Sequence, residues 1–140
     1  MTASREWSIG THHIRFEQPD TLCIKITGDI GLEEVKQLVD ICRELAEKKP
    51  FYLITDLAEI GAIPSEARGY ASKNIRQDWY LGVAYIGANF VAKAAAKGLA
   101  LMMYFTGKPS FDLEFVHNED EARAVISRQR LKRATATQVA

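Results

Sequence analysis

Asp56 and Ser65 are the residues whose type and spacing come nearest to chemistry. A short apolar run, Phe51-Tyr52-Leu53-Ile54, ends at Thr55-Asp56-Leu57, and after a loop Pro64-Ser65-Glu66-Ala67-Arg68 opens a helix. The pattern reads as a buried strand that delivers a carboxylate to its C-terminal tip, with a serine at the start of the next helix. In open α/β sheets that edge is where ligands and partners act. An aspartate there can bind a ligand, but more often it fixes its own loop through backbone hydrogen bonds. A serine there can serve as a plain N-cap, and the same positive helix end suits a phosphate.

The remaining reactive residue types form no recognisable set. His12 and His13 are adjacent on a strand, so they point to opposite faces and cannot chelate together. His117 stands alone near a helix start. All three read as surface or capping residues, and no spacing suggests a metal site. Gly107-Lys108 has Pro109 where a phosphate loop needs Ser or Thr, and no glycine stands five positions before Gly107. There is no nucleophile-elbow phrase. Cys23 and Cys42 lie among apolar neighbours and read as reduced core residues. No catalytic residue, cofactor or metal is expected.

The 140 residues suit a single domain with a real core, and 18 basic side chains balance 18 acidic ones. A neutral chain has no global field to attract nucleic acid. Arg128, Arg130, Lys132 and Arg133 concentrate near the end and read as a solvated helix terminus fraying into a tail. Met1 to Trp7 lacks an apolar signal segment, which points to a cytoplasmic protein. Leu81 to Phe105 carries only Lys93 and Lys97 as charges. Gly82, Gly87, Ala88 and Asn89 divide it into a strand and a helix, so no transmembrane span is expected. The expected layout is a loose leader over 1–10, one domain over 11–130 and a basic tail over 131–140.

The elements follow from periodicity. His12 to Glu17 and Thr21 to Thr27 alternate on either side of Gln18-Pro19-Asp20, as in an antiparallel hairpin. Leu32, Val35, Leu38, Val39, Cys42, Leu45 and Ala46 recur at helical spacing, with Glu33 and Glu34 first, Lys48 and Lys49 last, and Pro50 as the stop. Then come a strand over Phe51–Asp56, a weak helix from Ser65 to Gln77, a strand over Leu81–Ile86 and a helix over Phe90–Tyr104. A strand over Phe111–Val116 leads to a final helix capped by Asn118. The order is β-β-α-β-α-β-α-β-α. It predicts an α/β fold: a five-stranded mixed, mainly parallel sheet with four helices.

That order resembles the STAS domain, and more closely its SpoIIAA-like bacterial branch, which has a CRAL-TRIO (lipid-exchange) flavour. The phrases that carry the resemblance are Gly28-Asp29-Ile30-Gly31-Leu32-Glu33-Glu34-Val35, Tyr52-Leu53-Ile54-Thr55-Asp56-Leu57, Ile63-Pro64-Ser65-Glu66-Ala67-Arg68, Val83-Ala84-Tyr85-Ile86-Gly87 and Phe115-Val116-His117-Asn118-Glu119-Asp120-Glu121-Ala122. The resemblance implies a non-enzymatic regulatory module of the anti-sigma-factor-antagonist type. Its protein partner would be an anti-sigma factor or a kinase-like regulator. In antagonist STAS domains a partner kinase phosphorylates a serine at this helix start, and Ser65 holds that place. The family's phrase has Asp before the serine and a small residue after it, where this chain has Pro64 and Glu66. Asp56, Ser65, Glu66 and Arg68 are therefore the candidate interaction edge or phospho-switch.

Leu99-Ala100-Leu101-Met102-Met103-Tyr104-Phe105, at the end of the helix over Phe90–Tyr104, is apolar all round, and a helix hydrophobic on every side is buried on every side. Phe90, Leu99, Met102, Met103 and Phe105 are the candidate surface. The cover is ordinary core packing, a second copy in a homodimer, or a lipid or other apolar ligand. The alternative function is accordingly a carrier or sensor of an apolar small molecule.

Overall fold

The computed structural model describes residues 5–87 and 112–139. Six strands form one sheet in the order β1-β2-β3-β4-β5-β6: β1 Arg5–Ile9, β2 His12–Glu17, β3 Thr21–Gly28, β4 Phe51–Ile60, β5 Tyr80–Ile86 and β6 Asp112–Val116. The first three strands are antiparallel neighbours, and β3 to β6 run parallel. Three helices lie among the described residues: α1 Leu32–Lys48, α2 Ser65–Asn74 and α3 Glu119–Val139. A single 3-10 turn, Gln77–Trp79, precedes β5.

The sheet is covered on both faces. On one, Val35, Val39, Cys42 and Leu45 of α1 and Ala67 of α2 pack with Leu22, Ile24, Phe51, Leu53 and Val83. On the other, Ala122, Val125 and Ile126 of α3 pack with Tyr52, Ile54, Ala84 and Ile86. Double cover explains why β4 and β5 read as continuous apolar runs and not as alternation.

The mixed α/β class stands, with details that depart from expectation. A sixth strand, β1, occupies most of the stretch expected as a loose leader, pairing with β2 from Arg5↔Phe16 to Ile9↔His12. Ile9 is buried, Trp7 packs on the core, and Arg5 sits 4.8 Å over the Trp7 ring while bonding Glu44 of α1. These contacts fix residues whose own alternation is mostly polar. β4 overruns Asp56 by four residues because its end pairs with β3 beyond a bulge, at Thr27↔Glu59 and Gly28↔Ile60. α3 runs past residue 130, where a tail was expected. The third of the four expected helices, Phe90–Tyr104, lies outside the described residues.

Basic side chains explain the length of α3. Arg123 bonds Glu17 of β2 through both nitrogens, at 2.8 and 2.9 Å. Arg128 bonds Glu114 of β6 at 2.7 Å. Arg130 bonds Asp20 at 2.6 Å and lies 5.2 Å over the Tyr52 ring. Arg133 donates to the Leu81 carbonyl at 3.0 Å. The arginines that read as a solvated terminus hold the helix onto the sheet.

Candidate functional site

The candidate edge is made of two loops joined by backbone bonds. Gly28-Asp29-Ile30-Gly31 leads into α1, and Ile60 to Pro64 leads into α2. The Gly61 N–H donates to the Gly28 carbonyl at 2.8 Å, and the Ile30 N–H donates to the Ala62 carbonyl at 3.0 Å. The Asp29 carboxylate accepts the Ala62 N–H at 2.7 Å. A Cβ on Gly61 would fall on that carboxylate and 2.9 Å from both the Asp29 nitrogen and the Gly28 carbonyl carbon. Only glycine permits so close an approach of the two loops.

Asp56 does what a loop-fixing aspartate does: its carboxylate accepts the Ala58 N–H at 3.0 Å. It stands where β5 pairing ends, at Asp56↔Ile86, and not at the tip of β4. No hydrogen bond or ion pair joins it to Ser65.

Ser65 is not the N-cap. Pro64 holds that position in extended conformation, and its carbonyl accepts the N–H groups of Ala67 and Arg68 at 3.0 and 3.1 Å. Ser65 becomes the first helical residue, exposed, and its hydroxyl has no partner among the described residues. The first N–H groups of a helix have no intrahelical acceptor, and among the described residues the Ser65 and Glu66 amides have no backbone acceptor. Ala67 is fully buried and anchors the turn, while Glu66 and Arg68 are exposed. Phe90, Leu99, Met102, Met103 and Phe105 lie outside the described residues.

Three residues that sequence reasoning passed over support this edge. His12 is fully buried, against its reading as a surface residue. Its Nδ1 accepts the Thr27 N–H at 3.0 Å, and its Nε2 lies 3.2 Å from Glu34 Oε2. Glu34 Oε1 accepts the Gly31 N–H at 3.0 Å and so caps α1. Asp29 is the third. A glutamate three residues after Gly31 is a helix-start signal that was available; the partner of His12 was not. His13 and His117 are exposed, as expected.

The displaced ionisable groups lie elsewhere. Burial pushes the Cys42 thiol up to about 11 and the Tyr85 hydroxyl up to about 12, so neither offers a nucleophile at neutral pH. Hydrogen bonding from Arg123 lowers Glu17 to about 2, the mark of a structural ion pair. Among the described residues no group of His, Cys, Asp and Glu could hold a metal, and no helix is long and apolar enough to cross a membrane.

No family model matches the chain, and no curated protein matches it. Solved structures do. The chain is similar to an uncharacterized protein of the DUF3478 family with a SpoIIAA-like fold from Shewanella loihica PV-4. The TM-score is 0.57 at 16% identity, covering 89% of this chain and 93% of that one. It is also similar to the anti-sigma factor antagonist SpoIIAA in its unphosphorylated form, with a TM-score of 0.52 at 12% identity over 91% of this chain and 98% of that one. Both likenesses cover about nine-tenths of this chain, so the chain has a SpoIIAA-like fold.

Proposed function

We propose that the chain is a non-enzymatic regulatory module of the STAS type, acting by protein–protein contact through the edge from Asp56 to Arg68. The observation that carries this reading is Ser65: an exposed hydroxyl, without a hydrogen-bond partner among the described residues, on the first turn of a helix whose adjoining loop is held by backbone bonds. A rigid backbone presenting unengaged side chains is a contact surface that costs little ordering when a partner docks. A hydroxyl at that place is open to a kinase, and a phosphate on it would lie at a helix start whose first amides have no intrahelical acceptor. Glu66 opposes such a phosphate, which makes the switch weaker than one flanked by small residues. The partner class is an anti-sigma factor or a kinase-like regulator, and the setting is the cytoplasm.

Affinity capture from the native host tests this, with wild type, Ser65→Ala and Ser65→Asp as baits of verified fold. A regulator held by wild type and Ser65→Ala, and reduced at least tenfold by Ser65→Asp, is the expected result. Equal capture by all three removes the switch. Capture of no regulator by any of them removes the module. Native mass spectrometry of the same protein checks for the homodimer and for any apolar adduct.

A further inference from the structure

We propose that the free edge of β1 is a docking surface for a second copy of this chain, which pairs there as an antiparallel strand centred on Trp7. This surface is apart from the Asp56-to-Arg68 edge, since β2 and β3 separate β1 from β4. β1 ends the sheet: among the described residues it pairs with β2 and with no strand on its other side. Gly10-Thr11 closes the β1–β2 hairpin as a two-residue turn, with φ +58 at Gly10. The pair flanking such a turn, Ile9↔His12, exchanges both backbone bonds, and bonded pairs then alternate along the ladder. Ile9, Trp7 and Arg5 therefore turn their backbone groups to β2, and those of Ser8 and Glu6 point away from the sheet. An edge strand with open N–H and C=O groups is a template for another strand.

The side chains decide which strand fits. Glu6 and Ser8 share the face of β1 opposite to Trp7 and Ile9, and both are exposed. Arg15 stands beside Glu6 on β2 but bonds Glu17. Neither the Glu6 carboxylate nor the Ser8 hydroxyl has a partner among the described residues. β1 thus carries an open acceptor and an open donor, one on each side of Trp7. Antiparallel pairing centred on Trp7 sets Glu6 opposite the second copy's Ser8, and Ser8 opposite the second copy's Glu6. One register then satisfies backbone and side chains together: residues with outward amides face each other, and each hydroxyl donates to a carboxylate. On the other face the half-buried Trp7 ring gains its own counterpart as a cross-strand aromatic pair. Centring on Glu6 would set two carboxylates against each other. Centring on Ser8 would leave Glu6 opposite Gly10, in the turn. The occupant is a second copy because β1 already holds both halves of the match. Pairing about Trp7 is two-fold, so it closes at a dimer with no β1 edge left.

Sedimentation equilibrium of the full chain tests this, with circular dichroism to confirm that each variant is folded. One strand pair is smaller than a standard interface, so wild type should pass from monomer to dimer as its concentration rises. Wild type that stays monomeric up to about 1 mM would overturn the proposal. Ser8→Lys sets a cation opposite the second copy's Glu6 and should tighten the dimer about fivefold at low ionic strength. Ser8→Asp sets carboxylates opposite each other and should weaken it about fivefold. Ser8→Pro removes an outward N–H without touching the β2 ladder, as edge strands tolerate, and should leave monomer. A dimer that Ser8→Pro keeps, or that the two charge variants shift in the same direction or not at all, would put the contact elsewhere and overturn the proposal. Should Ser8→Pro not fold, the opposite signs of the charge variants decide. No regulator enters these measurements, so failure here leaves the reading of the Asp56-to-Arg68 edge standing, and the reverse holds.

Discussion

α3 and the loop edge treat polar side chains in opposite ways. On α3, surface arginines reach across and join the helix to β2, β5, β6 and the β2–β3 turn. At the edge, backbone and carboxylates make the joints, and Ser65, Glu66 and Arg68 point outward. Charged side chains can thus be structural in one region and available in another. Sequence counts of basic residues do not separate the two. A basic helix whose arginines are already engaged is a poor nucleic-acid surface, since phosphate binding needs cations free to neutralise it.

The sharpest way to break this contrast is to injure each region alone. Ile126 is buried between α3 and the sheet. Ile126→Ala should cost about 2–5 kcal/mol, as large-to-small changes in a core do, and should lower the denaturation midpoint of the whole domain. Gly61→Ala sets a methyl against backbone atoms of Asp29 and Gly28 that cannot turn aside. It should cost about 1–3 kcal/mol, the usual range for overpacking. Its effect should be local, with exchange protection lost at Ile30 and Ala62 and kept on β5. Protection lost uniformly in Gly61→Ala would show that edge and core unfold as one unit.

The ion-pair side of the contrast has a pH signature. Glu17 ordinarily titrates near 4.5 and is lowered to about 2 by the Arg123 hydrogen bonds. A carboxyl lowered on folding contributes stability that is present above its unfolded value and lost as pH falls through its folded value. Acid titration of wild type should therefore lose stability between about pH 4.5 and about pH 2, and Glu17→Gln should remove that part of the slope. The group is partly exposed, so solvent screening keeps the effect modest. An unchanged slope would mean that the Glu17–Arg123 fork contributes no net stability.

What was legible in the sequence follows from which contacts are local. The β2–β3 hairpin, α1 with its acidic start and Pro50 stop, and the Asn118 start of α3 depend on neighbours in the chain, and periodicity and capping found them. β1 was missed because Arg5-Glu6-Trp7-Ser8-Ile9 alternates weakly, and a distant Glu44 and the β2 register fix it. The overrun of β4 was missed because Ala58 and Glu59 are poor strand formers, and pairing with Thr27 and Gly28 holds them there. His12 was misread as a surface residue because its burial depends on Thr27 and Glu34, 15 and 22 positions away. At the site, the loop-fixing role of Asp56 was legible and the cap at α2 was not. Serine is the better cap by type, but proline before it took the extended position and moved Ser65 into the helix.

That exchange gives the smallest and most discriminating effect. The starts of α2 and α3 differ in one respect: Asn118 accepts the Glu121 N–H at 2.9 Å, whereas Ser65 caps nothing. Loss of a capping side chain costs about 1 kcal/mol, and an exposed substitution away from such a feature stays within about 0.5 kcal/mol. Asn118→Ala should therefore lower stability by about 1 kcal/mol in chemical denaturation. Ser65→Ala should fall within about 0.5 kcal/mol of wild type. Equal losses would make Ser65 a cap after all and tie any change in partner capture to a loosened helix. A silent Ser65→Ala leaves the hydroxyl free of structural duty, so that a change in binding on Ser65→Asp reports on the surface itself.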